Sequence, residues 1–498
     1  MLARIRLEGW TRIAVSIGVA SPVGCGGGGG SSTPVVAPTP PPVIPVEPPG
    51  DASSARIVLQ TGDLVGDATE IANVEDAALA ANGTLAAIVS VANQGGGRAI
   101  VRRAPSGRFT VVFDDENAPS DVDFRTLVRI RIAPSGQMIF QSGDGLDVER
   151  FFYVDGDSIS ILAGAEPGVV GPDFRVLGNN RIGPNGVVAF VAGGHACEVS
   201  VTPGGTLRHV CQISLFVAQD GGVSKVETES LDLAEVATNA VRIELDPSGN
   251  AYFSVPGRRE APTLIRFAGG QATTLLTANQ QIPELGSALG DVEAVDISPQ
   301  GDILISGELP PPEEGAPRPG VLGILHEDGS FTKIAVEGEP IAGETLDQVR
   351  AIALDGAGNA LYEAQFADPT GTTDTLQRSL RIAGRSGDVE IVREGSPAPD
   401  GGATVVSIDA ARGNEAGDVV FLTSLGRITE GTVFIEEIRA TLREVDGTLR
   451  TLVSSAKSAQ FGILSRLLIV GFDENANALL LAERGQSSDR ALLFSEHE

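Results

Sequence analysis

Histidine, cysteine and the large aromatics are scarce in this chain, and their scarcity removes several classes of chemistry. Four His, three Cys, one Trp and three Tyr are spread over 498 residues. No G-x-S-x-G, H-E-x-x-H or G-x-x-x-x-G-K pattern occurs, so the common serine-hydrolase, zinc-protease and phosphate-loop signatures are absent. The one Trp, Trp10, precedes the folded region, which leaves Tyr153, Tyr252 and Tyr362 as the only large polar aromatics for stacking on a sugar. Positive charge is also short: 36 Lys and Arg stand against 65 Asp and Glu, a net charge of −29. Such a surface repels phosphate backbones, which excludes nucleic acid as a partner. No segment holds a 3.6-residue apolar period long enough for an amphipathic helix.

What is abundant is glycine and proline, 62 and 30 residues, with Val, Ile, Leu and Ala as the main apolar types. That suits many short strands joined by tight turns. One phrase recurs: IAPSGQMIF from Ile132, IGPNGVVAF from Ile182, LDPSGNAYF from Leu245 and ISPQGDILI from Ile297. Aligned on the turn glycine, the series runs Gly83, Gly136, Gly186, Gly249, Gly301, Gly358 and Gly417, with Asn477 expected in the glycine place of an eighth copy. Pro presets the first central residue of a type I turn, and Gly takes the left-handed position that closes the loop. The strand leaving each turn is apolar at successive positions, which predicts that both its faces are covered.

A second hairpin follows each phrase, as in RFFYVDGDSISILA from Arg150 and VLGILHEDGSFTKIA from Val321. Each period of 50 to 63 residues therefore holds four strands. Four-stranded sheets that each need neighbours on both faces predict an all-β fold, an eight-bladed β-propeller over residues 55–498. One strand is left over after the eighth phrase and an orphan strand, ARIVLQ, begins at Ala55; their pairing would close the ring, an open solenoid being the alternative.

The N-terminal region reads as an address. Residues 1–24 combine a basic start, a short apolar core from Ile13 to Ala20 and small residues before Cys25, the layout of a secretory signal. Residues 25–54 are Gly-rich and then Pro-rich, a flexible hinge followed by an extended spacer. Pro22-Val23-Gly24-Cys25 resembles the lipobox of bacterial lipoproteins, although Pro22 stands where Leu is usual. The resemblance implies a lipidated Cys25, a membrane partner through that lipid and, with Gly26 after the Cys, an outer-membrane or cell-surface location. The repeats in turn resemble the bacterial choice-of-anchor family whose motif is N-x-x-G-x-x-A-F. Asn414 to Gly417 keeps the motif Asn and Gly, and Ala189-Phe190 keeps its ending. That resemblance implies an envelope protein and brings no established chemistry.

Blade three carries an insertion, GGHACEVSVTPGGTLRHVCQI from Gly193. A hairpin with a three-residue loop at Pro203-Gly204-Gly205 would put Cys197 opposite Cys211. A disulfide is one reading in an exported protein, a Zn²⁺ site of His195, Cys197, His209 and Cys211 is a second, and two free thiols are a third. Ser454-x-x-Lys457 lacks supporting motifs and reads as coincidence, and the acidic run from Asp114 reads as a solvated loop. No cofactor is expected. The leading functional expectation is a non-catalytic, envelope-anchored propeller presenting a surface to a protein or small molecule. Propellers usually bind ligands on the face carrying the interblade linkers, which points to Glu166, Asp173, Glu339 and Glu344. An envelope hydrolase or lyase with carboxylates at the channel mouth is the alternative, and a structural spacer the third.

Overall fold

The structure, a computed structural model, describes residues 55–497 apart from several segments, the longest being 115–126, 165–173, 227–240 and 367–376. The described strands form eight sheets that each contain four consecutive antiparallel strands, with two extra short hairpins and a few added edge strands. The first strands of the blades are Thr69–Leu79, Leu127–Ile132, Phe174–Ile182, Arg242–Leu245, Val292–Ile297, Glu344–Leu354, Thr404–Gly413 and Leu464–Phe472. Each packs against the first strands on either side, and the last packs against Thr69–Leu79, so the eight enclose a central channel. The ring closes as the orphan strand predicts. Ala55–Gln60 pairs antiparallel with Arg490–Ser495, Leu59 opposite Leu492, and supplies the outer strand of blade eight.

Period-two alternation explains why the ring holds. In Leu85–Val91, Leu85, Ala87 and Val89 face the blade-eight side while Ala86 and Ile88 face blade two. Among the described residues the core divides into eight apolar clusters, and each spans two neighbouring blades. No blade could bury its own faces alone, which is the physical reason for the repeat. The aromatic residue closing a turn phrase stacks on the next strand: Phe140 lies 4.8 Å from Phe152, and Phe190 5.3 Å from Phe216.

The turns are five-residue loops in which the fourth residue has a left-handed backbone. In Ala133 to Gln137, the Gly136 N–H donates to the Ala133 carbonyl at 2.9 Å and the Ala133 N–H to the Gln137 carbonyl at 2.7 Å. In five copies a side chain on the first residue, Asp246, Ser298, Asp355, Asn414 or Asp473, also accepts the fifth residue's N–H. The eighth copy corrects the sequence alignment by one residue. Ala476, with φ 58°, takes the glycine place, and Asn477 is the fifth residue, its amide and side chain both donating to Asp473 at 2.9 Å. That clasp holds the loop shut, so an alanine is kept where glycine is otherwise needed.

The blade-three insertion forms a ribbon of Glu198–Val201 and Leu207–Val210, with Glu198 paired to Val210 and Val201 to Leu207. This is the register that a three-residue loop demands. Cys197, Cys211 and His195 lie outside the described residues, as does the side chain of His209.

Candidate functional site

Every blade contributes one residue to a ring near the end of the channel where the five-residue turns lie. This residue is the last but one of the first strand: Ala78, Arg131, Arg181, Glu244, Asp296, Ala353, Arg412 and Gly471, in blade order. Five of the eight are charged and three are small. A cavity of about 280 Å³ opens at this end, lined by residues of blades two to eight, among them Pro134, Arg181, Glu244, Asp296, Leu354, Glu415 and Glu474.

The contacts separate groups already committed from groups that are not. Arg181 grips Glu244 with two bonds, Nη2 to Oε1 at 2.8 Å and Nε to Oε2 at 3.2 Å. Asp296 bridges blades five and six: it accepts the Leu354 N–H at 2.8 Å and the Ile297 N–H at 2.9 Å. Asp76 does the same between blades one and two, accepting the N–H groups of Ile130 at 3.0 Å and Ala77 at 2.9 Å. At the rim, Glu474 accepts the Glu415 N–H at 2.9 Å.

The enclosure perturbs the acids upward. Burial pushes the Asp296 carboxyl up to about 7 against its two backbone donors, with Glu244 and Glu415 adding to the rise. Burial, Glu415, Asp473 and Asp418 push Glu474 up to about 7 against the one bond it accepts. Burial and the neighbouring Arg181 lower Arg131 to about 10, and Arg412, ringed by protein yet with its side chain exposed to water, is lowered by its surroundings and by Arg181. Arg181 moves the other way because Glu244 faces it.

Glu474 therefore has a calculable pH signature. A carboxyl with a raised folded pKa binds a proton in the folded chain that the unfolded chain has released, so its contribution to stability falls as pH rises from about 4.5 to about 7. Glu474→Gln mimics the protonated acid. Its thermal midpoint is expected to match wild type at pH 4 and to exceed it at pH 8, and equal midpoints at both pH values would remove the perturbation.

Two of the linker-face candidates lie among the described residues, and both are in ion pairs. Glu339 pairs with Lys333 at 2.9 Å, and Glu344 with Arg393 at 2.5 Å. Glu344 begins the strand whose last residue, Leu354, lines the cavity, so the two lie roughly 30 Å apart along the channel. Glu166, Asp173 and most of the acidic run after Asp114 lie outside the described residues. Tyr252 and Tyr362 are buried, their hydroxyls on Asp246 and Asp388, so neither offers a stacking face at the surface. The ring residues carry no motif of their own. Their only signal in the chain is a shared column of the repeat, two residues before each turn begins.

Residues 245–460 match a family of unknown function, DUF7453. No curated protein matches the chain. Solved structures with a similar fold include the β-propeller domain of the Trilobed protease from Pyrococcus furiosus, 13% identical over 86% of this chain and 97% of that one, TM-score 0.40. The Dos1 propeller is 9% identical over 90% of this chain and 97% of its own, TM-score 0.43. The polysaccharide lyase Uly1 is 8% identical over 86% and 90%, TM-score 0.39.

Proposed function

We propose that this protein is a ligand-binding propeller, tethered to the bacterial envelope, whose binding site is the mouth of the central channel on the turn face. The observation that carries the binding role is the convergence of charged side chains from blades three, four, five, seven and eight on one cavity. Burying one apolar cluster per interface accounts for the rest of the fold, but it does not call for Arg181, Glu244, Asp296, Glu415 and Glu474 to meet. A cavity with a few convergent polar groups and perturbed titratable residues is the usual form of a small-molecule site.

The test compares wild type with a Glu415→Lys, Glu474→Lys double variant against a panel of charged small molecules, read by thermal shift. Compounds that raise the wild-type midpoint are expected to lose their effect on the double variant. Equal responses of the two proteins, or no response from wild type, would sink the channel mouth as the site.

The tether rests on the signal-like residues 1–24, the Gly and Pro spacer and Cys25. Two or three acyl chains, at about 0.8 kcal/mol per buried methylene, anchor a protein stably where one does not. Cys25→Ser is expected to abolish labelling by a fatty-acid analogue in cells, and retained labelling would refute the tether.

A hydrolase or lyase remains the second reading because Asp296 and Glu474 both titrate at about 7, the range of working general acids and bases. It is separated by product: a ligand altered by wild type and left intact by Glu474→Gln would make the mouth catalytic.

A further inference from the structure

Resting on the channel as the binding site, we infer that its ring of arginines is a receptor for an oxyanion, the carboxylate or phosphate group of a small molecule, held between Arg131 and Arg412.

Three arginines occupy equivalent ring positions on blades two, three and seven. Blades three and seven are half a turn apart in an eight-bladed ring, so Arg181 and Arg412 face each other across the channel, and both Arg131 and Arg412 feel the charge of Arg181. A fourth, Arg129, lies two residues before Arg131 at a bulge in the same strand. Its φ of 54° is a left-handed backbone that a non-glycine residue adopts only when held there.

The carboxylates around this cluster are already used. Glu244 is taken by Arg181, and Asp296 and Asp76 hold backbone N–H groups of neighbouring blades. Arg131 and Arg412, by contrast, make no hydrogen bond or ion pair among the described residues, and the Nε of Arg131 is buried without an acceptor. Bringing like charges together, and burying the Arg131 Nε without an acceptor, works against folding, while the exposed Arg412 side chain stays open to a ligand. Glu244 and Asp76 act on Arg131 only through their charge, each already holding other donors. An anion entering the channel supplies what is missing, in the forked geometry that guanidinium groups offer to oxyanions. Space beside this ring is the cavity of about 280 Å³ that Arg181 itself lines.

The experiment uses the full chain at pH 7 and low salt, with inorganic phosphate, sulfate and citrate as probes in calorimetric titrations. At least one probe is expected to bind, with phosphate and citrate distinguishing a phosphate from a carboxylate preference. Arg412→Gln and Arg131→Gln are each expected to weaken binding tenfold or more, and Arg412→Lys to recover part of the loss. Arg427→Gln, an exposed residue paired with Glu436 on the outside of blade seven, should bind as wild type does. Without ligand, Arg412→Gln is expected to unfold at a higher temperature than wild type, because one repelling charge is gone; a structural arginine would give the opposite shift. Failure of all three anions to bind, or unchanged affinity in Arg412→Gln, overturns the oxyanion receptor. If other compounds still respond at the rim and lose that response in the Glu415→Lys, Glu474→Lys variant, the channel-mouth reading survives that failure. If anions bind and only the rim variant is without effect, the mouth reading falls and the arginine site stands.

Discussion

A chain shortened to begin at Thr61 is expected to lose cooperative thermal unfolding and to aggregate on purification. Ala55–Gln60 is the outer strand of blade eight, and without it the edge of Arg490–Ser495 stands open. Five of that strand's six residues are buried, so the exposed edge would be apolar as well as unpaired, a template for intermolecular strand pairing. The strand also fills two interfaces. Ala55 belongs to the cluster between blades seven and eight, and Leu59, 2% exposed, to the cluster between blades eight and one. Leu59→Ala in the full chain isolates the packing part of the effect and should cost about 3 kcal/mol. Denaturant unfolding of the point variant and size-exclusion chromatography of the shortened chain check both. A shortened chain that stays monomeric and melts with wild type would show that the ring is held without its closing strand.

Gly323→Ala is expected to destabilise by about 2–3 kcal/mol, a large effect for one methyl group. Gly323 lies in Gly320–Leu325 of blade five, and a Cβ there would overlap the ring of Phe331 on the neighbouring strand. Phe331 is 5% exposed and packs into the cluster between blades four and five, so it cannot swing aside without opening that core. The backbone at Gly323 needs no left-handed freedom, which makes the penalty one of space alone. Phe331→Leu should therefore recover part of the loss in the double variant, and the coupling is read from a double-mutant cycle of denaturant midpoints. Strict additivity of the two substitutions would disprove the proposed overlap.

The legible and illegible parts of this protein differ in the range over which their causes act. Pro134-Ser135-Gly136 specifies a turn through the φ angles of three adjacent residues, so the turn could be read without knowing where its strands go. The same holds for the alternation in Leu85–Val91 and for the leftover strand at Ala55, which together imply blades, their number and the closure of the ring. In the eighth copy Ala476 rather than Asn477 takes the left-handed position, a shift of one residue within the same turn. The register of the blade-three ribbon was equally local, since a three-residue loop settles which residues pair.

The channel mouth had no such local cause. Arg181 and Arg412 are separated by four blades of chain, and nothing near either residue marks it as different from an ordinary arginine on a strand. At the linker face, Glu339 and Glu344 pair with Lys333 and Arg393, contacts that the spacing of the residues in the chain did not announce.

By itself, then, the sequence determined the strands, the turns, the eightfold repeat and its closure, because backbone sterics and two-residue alternation act between neighbours in the chain. Only the tertiary structure decided which charges share a space. Closing eight blades into a ring brings one position from each repeat to a common axis, and there the arginine of blade three pairs with Glu244 while Asp296 holds backbone amides.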